Sequence, residues 1–341
     1  MRGFCGLLEE EIKGCVMQQN EPPYRQQQLC DWVYRKGVAN YDAMTNIPPI
    51  LKEILTEKMP LGLLTLKQMS PSCDGETVKF LWKLCDGYYV ESVLICSNER
   101  YTICLSSQVG CAARCVFCAS GKKGFLRNLS SAEIIEQVVH INSYLLAQQH
   151  RATHIVFMGM GEPMNNYDAL LRALKILINP HLFAFSSRKI TISTVGIIPG
   201  IEKLMHEDMN VNLALSLHAP NQSLRKKIVP SARQYHLSDI LRVVRNYAQI
   251  RKRDITYEYV LIAGINDKKT HAYELVTLLK NEQCCVNLIP FNPISDIYLK
   301  RPDKAMINAF RSILFDGGIK STWRYTKGKD IMAACGQLAL K

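Results

Sequence analysis

The sequence has no apolar run long enough to cross a membrane. Its most apolar stretches, such as LLRALKILI and VNLALSL, are short or broken by charge, and none approaches the roughly 18 to 20 residues a span requires. No secretory leader is expected either. MRGFCGLLEEEIKG carries one Arg and a short apolar run, then meets Glu9, Glu10 and Glu11 before any small-residue cleavage pattern. A cytoplasmic protein with no membrane partner is expected. There is no internal repeat and no low-complexity segment, which excludes repeat architectures. With 341 residues, 48% of them hydrophobic, the chain has enough material for one large core with or without a smaller companion.

Acidic residues are in short supply. Asp and Glu number 30 against 42 Lys and Arg, a formal charge of +12. Such a surplus favours a polyanionic partner through counterion release, although a merely basic protein has the same count. The basic clusters Lys122-Lys123, Arg225-Lys226-Lys227 and Arg251-Lys252-Arg253 read individually as solvated faces.

The last shortage is local. GCAARCVFCASGKKGF holds Cys111, Cys115 and Cys118 within eight positions and offers no fourth cysteine nearby, whereas a closed tetrahedral site needs four ligands. The chain's 13 cysteines are not expected to be disulfide staples in a reducing compartment. Cys5, Cys15, Cys30, Cys73, Cys85, Cys96, Cys284 and Cys285 have no informative neighbours and read as small buried hydrophobes. For the clustered three, spacing leaves three possibilities: an iron–sulfur cluster with one iron open, zinc with a distant fourth ligand, or thiols buried by chance.

The pattern predicts helices up to about residue 63, as in YRQQQLCDWVYRKG and PPILKEILTEKM. TVKFLWKL, a Gly-containing turn and YYVESVLI then predict a hairpin. From Tyr101 onward, β-rich runs (YTICL, HIVFM, KITIS, VNLALSL, ITYEYVLI, CVNLIPF, STWRY) alternate with helical stretches. The clearest helix begins at a capping box, Ser130 with Glu133, and carries Ile134, Val138, Ile141 and Leu145 on one face. Six βα units predict an α/β fold with a full or partial barrel, its site at the C-terminal strand ends.

Cys-x3-Cys-x2-Cys with Phe117 before the last cysteine resembles the signature of radical S-adenosylmethionine (SAM) enzymes. CLSSQVGC, GFLRNL, MGMGEPMNN, ISTVGIIPGI, LALSLHAP, VNLIPFNP and DIMAACGQL, in that order, are similar to one branch, the RlmN and Cfr family of RNA adenosine methyltransferases. The resemblance runs from about Glu91 to the C-terminus. It implies a partial (β/α)6 radical SAM barrel over residues 101–341, a β-hairpin extension over 76–100 and a helical, RNA-binding accessory domain over 1–75.

The resemblance also implies roles. Cys111, Cys115 and Cys118 would hold a [4Fe–4S] cluster whose open iron binds the amino and carboxylate groups of SAM. Gly161 and Glu162 would form the amino-group site, and Ser193, Ser216, Leu217, His218 and Asn292 further SAM contacts. Read alone, these are turn formers and caps at strand ends. Cys335 would accept a methyl group from one SAM, and a second SAM would be cleaved to a 5′-deoxyadenosyl radical that activates it. Cys104 would release the methylated RNA by forming a Cys104–Cys335 disulfide, and Glu91 would remove the proton from the adenine carbon. Read alone, Cys104 and Cys335 pass as core thiols and Glu91 as the solvent face of a hairpin.

The implied partners are 23S rRNA and tRNA, with Lys122, Lys123 and Arg127 as backbone contacts, and an electron donor such as flavodoxin with its reductase. A monomer is expected. Carbon 2 of adenosine is the implied target, because Pro163 follows Glu162 as in the RlmN branch. A Cfr-like carbon-8 enzyme conferring antibiotic resistance and a zinc-stabilised, non-catalytic RNA-binding protein are the alternatives.

Overall fold

The structure, a computed structural model, describes residues 3–294, 298–323 and 327–339. Three helices come first: α1 (Glu9–Met17), α2 (Tyr24–Cys30), continued by a wider π-type turn over Asp31–Arg35, and α3 (Pro49–Lys58). An antiparallel meander follows, made of β1 (Leu64–Pro71), β2 (Thr77–Leu84), β3 (Tyr89–Ser97) and β4 (Arg100–Cys104). The β2–β3 hairpin is the one the alternating pattern predicts. The strand β1 has one buried residue in eight, so no apolar alternation marks it in the sequence. It lies inside the segment 1–75.

A short ribbon of β5 (Gln108–Gly110) and β6 (Phe125–Asn128) encloses the cysteine loop and α4 (Ala119–Lys122). Beyond it run α5 (Ser131–Leu146), β7 (His154–Phe157), α6 (Tyr167–Ile178), β8 (Ile190–Thr194), α7 (Ile198–His206) and β9 (Asn212–Ser216). The chain continues through α8 (Gln222–Ile228), α9 (Leu237–Arg251), β10 (Ile255–Leu261), α10 (Lys269–Leu278), β11 (Cys284–Pro290), α11 (Lys304–Asp316) and β12 (Lys320–Trp323). The end of STWRY lies outside the described residues.

All the larger strands join one sheet in the order β1-β2-β3-β4-β7-β8-β9-β10-β11-β12. From β4 onward every neighbouring pair is parallel. Each crossover is helical, as short-range alternation of strand and helix patterns requires. Six βα units followed by β12 thus form the expected partial barrel, extended at one edge by the meander. Among the described residues β1 and β12 do not pair.

The helix α5 starts as predicted. Ser130 Oγ accepts from the Glu133 amide at 3.2 Å, and Glu133 Oε2 accepts from the Ser130 amide at 2.8 Å. Its buried face includes Ile134, Val138, Ile141 and Leu145, and also Glu136. That carboxylate, 0% exposed, accepts from the Gly62 amide at 3.1 Å and the Leu64 amide at 2.9 Å, fastening the link between α3 and β1 to the barrel.

Burial pushes the Glu136 pKa up to about 7. A folded-state value above the unfolded one gives stability that is fully present at low pH and is lost as pH rises through about 7. Glu136→Ala should therefore destabilise the fold by about 2 kcal/mol. The loss should be largest near pH 5 and shrink towards pH 8, measured as the difference between wild-type and variant urea midpoints. A constant difference would contradict this assignment.

Candidate functional site

The C-terminal ends of the parallel strands surround a cavity of about 540 Å³. Cys111, Cys115 and Cys118 face it from the loop between β5 and α4. Burial pushes the Cys111 thiol up to about 12 and raises those of Cys115 and Cys118. These groups therefore stay protonated unless a metal supplies compensating charge. Among the described residues no three His, Cys, Asp or Glu side chains converge closely enough to hold a single metal ion.

The other predicted groups follow strand by strand. Gly161 and Glu162 line the cavity just beyond β7. Gly161 has φ +103°, and a Cβ there would lie 2.6 Å from Gln108, so both conformation and space exclude a side chain. Glu162 is buried, and burial pushes its pKa up to about 7. Its oxygens accept from the Met164 amide at 3.0 Å and the Val195 amide at 2.8 Å.

Ser193 and Ser216, at the ends of β8 and β9, lie with hydroxyls 3.3 Å apart. The His218 ring is lowered to about 3 by burial and is neutral. It accepts from the Val260 amide at 3.1 Å and packs edge-on against Phe117. Leu217 is fully buried and does not line the cavity; its backbone does the bonding, its amide donating to the Glu258 carbonyl at 3.0 Å.

Cys104 at the end of β4 and Cys335 from the C-terminal segment line the same cavity. Cys104 is buried, Cys335 is exposed, and neither is in a disulfide. Asn292 fixes the second by donating to its carbonyl at 3.1 Å.

Glu91 departs from the hairpin reading. It is buried, ion-paired with Lys79 at 3.1 Å, and accepts from the Ala339 amide at 3.0 Å. It stands beside the cavity, between β3 and the C-terminal segment, without lining it. Arg127 is bound by Asp86 and by both oxygens of Glu133, so it holds the ribbon in place, while Lys122 and Lys123 are exposed.

Sequence reading missed a polar row on the cavity wall. Thr322 donates to Asn287 at 3.0 Å, and Asn287 donates to Glu258 at 2.8 Å, all three in register across β12, β11 and β10. The available signal was Glu258 and Asn287, each set inside a largely apolar strand, whereas β12 is mostly polar and gave none. It also missed Arg225, assigned to a solvated cluster yet fully buried.

The profile described as "Radical SAM superfamily" matches residues 105–276, and that described as "Ribosomal RNA large subunit methyltransferase N-terminal domain" matches residues 4–61. A curated relative from Protochlamydia amoebophila, "Probable dual-specificity RNA methyltransferase RlmN 2", is 53% identical over 94% of this chain and 90% of its own. The chain belongs to the RlmN family of radical SAM RNA methyltransferases.

An RlmN relative from Thermus thermophilus is 42% identical over 98% of this chain and 92% of its own. The crystal structure of a radical SAM methyltransferase from Sphaerobacter thermophilus superposes with a TM-score of 0.97 at 42% identity, covering 99% of each chain. With membership of the RlmN family come a [4Fe–4S] cluster, SAM and an RNA substrate. The residues fit them: the three soft thiols of one loop and a buried acceptor carboxylate border one cavity of ligand size.

Proposed function

We propose that this chain methylates carbon 2 of adenosine in 23S rRNA and in tRNA. The observation that carries this reading is that Cys111, Cys115, Cys118, Cys104 and Cys335 border a single cavity. Zinc binding would use at most four of them and leave one idle. "Dual-specificity" in the relatives' names and Pro163 after Glu162 support the two RNAs and carbon 2.

When bound, the cluster and SAM supply the methyl group, an electron and hydrogen abstraction. The chain's own residues do the rest. Cys111, Cys115 and Cys118 hold three irons. Glu162, aimed by two backbone amides, accepts from the ammonium of SAM, and Gly161 leaves room for that end. Ser193, Ser216, His218, Asn292 and the Leu217 backbone position the remainder. Cys335 would carry the methyl group to the RNA, and Cys104 would release the methylated RNA: as the disulfide forms between the two, the bond from the Cys335 sulfur to the RNA-borne carbon breaks and that carbon takes the electron pair and a proton.

Glu91 takes the proton from the methylated carbon. In this conformation its oxygens are engaged by Lys79 and the Ala339 amide, so it serves as a base once the C-terminal segment moves aside. The target base must be unstacked to reach the cavity, with backbone affinity from residues such as Lys122 and Lys123. The helical segment within 1–75 adds RNA contacts. The enzyme acts as a cytoplasmic monomer and draws electrons from a flavodoxin-type donor. Reconstituted enzyme given 23S rRNA and tRNA separately should methylate both, and failure on either would remove the dual specificity.

A further inference from the structure

Arg225 is 0% exposed, a costly position for a cation unless charge and hydrogen bonds compensate it. Its hydrogen bonds all go to carbonyls at the ends of β8 and β9. Nε donates to Leu217 at 3.1 Å, and Nη2 donates to Val195 at 2.6 Å and Ser216 at 3.1 Å. Nη1 is buried and bonds to nothing. Among the described residues no carboxylate forms an ion pair with it and its last donor has no hydrogen-bond partner.

One connection leads from this guanidinium to the cysteine loop. The helix that carries it, α8, ends at Ile228, whose carbonyl accepts from the amide of Val116, the residue after Cys115, at 3.0 Å. Arg225 also holds the carbonyl of Val195 while Glu162 holds its amide, which ties the strand ends to the same point.

We propose that Arg225 is a positioning residue whose buried positive charge is the counter-charge of the thiolate-ligated cluster at Cys115. A fixed positive charge favours the more negative, reduced cluster over the oxidised one. It therefore raises the reduction potential and makes the single electron easier to deliver. This rests on Cys115 as a cluster ligand.

The test uses the reconstituted full chain under anaerobic conditions. It measures iron per chain and the cluster's midpoint potential by mediated dithionite titration, for wild type, Arg225→Lys and Arg225→Gln. The Gln variant should show a shift to lower potential or a loss of iron uptake. The Lys variant, which keeps the charge, should retain iron and lie near wild type. An unchanged potential in a fully loaded Gln variant would overturn the proposal.

Equal loss of iron in both variants would also overturn it, because carbonyl bonding alone would then explain the residue. If Arg225→Gln does not fold, Arg225→Met replaces it, and a chain that folds only with a cation at this position would assign Arg225 to folding instead. Iron retained in Cys115→Ala would sink the ligand assignment itself, an outcome separate from these.

Discussion

Cys335→Ala should lower methyl transfer to RNA below detection while leaving iron content and melting temperature unchanged. The contacts that place this segment are made by its backbone and neighbours. The Ala119 amide donates to the Gly336 carbonyl at 2.8 Å, Ser120 Oγ donates to the Leu338 carbonyl at 2.6 Å, and Asn292 donates to the Cys335 carbonyl. Gln337 adds a bond to the Pro293 carbonyl at 2.8 Å. Alanine keeps all of these and removes only the sulfur. Because the Cys335 side chain is exposed, truncation leaves no buried cavity of the kind that destabilises a core. An iron loss in this variant would make Cys335 a ligand rather than a methyl carrier. Persistent methylation would remove it from the reaction altogether.

Cys104→Ala should give the opposite phenotype, an enzyme that starts and cannot finish. RNA should accumulate covalently joined to the chain through Cys335 and migrate with it on a denaturing gel. In the proposed reaction the Cys104 thiolate attacks the Cys335 sulfur; as the sulfur–sulfur bond forms, the carbon–sulfur bond to RNA breaks, the released carbon takes the electron pair and a proton to become the methyl group, and an external thiol later reduces the disulfide. The backbone of Cys104 is held by its β3 and β7 neighbours, Val93 and Val156, so the variant should fold. A double variant lacking both cysteines should form no adduct. Free, methylated RNA from Cys104→Ala would refute the resolving role.

Much of this site was legible in the sequence because its parts are local. The three-cysteine loop, the Gly161-Glu162 turn and the segment around Cys335 each lie within a few residues, and each follows a strand or packs on one. The strands were legible because buried positions alternate with exposed ones or run together as apolar blocks. The strand β1 was not, since Leu64 is its only buried residue.

Features that depend on distant pairing stayed hidden. Nothing near Glu91 announces that Lys79 and Ala339 will close over it, and the row from Thr322 to Glu258 exists only through the register of three strands. Leu217, singled out as a cofactor contact, is buried away from the cavity, and its amide bonds to the Glu258 carbonyl of the neighbouring strand. Basic clusters misled because their members separate on folding. Arg225 turns inward, while Arg251 donates to the Met205 carbonyl at 2.7 Å, so part of the positive surplus serves the fold.

The most direct measurement is the identity of the nucleoside that RNA gains after reaction with the reconstituted, anaerobic enzyme. Digestion, chromatography against standards and mass spectrometry separate the two methyladenosine isomers. The account predicts 2-methyladenosine in both 23S rRNA and tRNA, formed only when Cys104, Cys335 and the three loop cysteines are intact. Finding 8-methyladenosine, or no methylated adenosine from an iron-loaded chain, would contradict it.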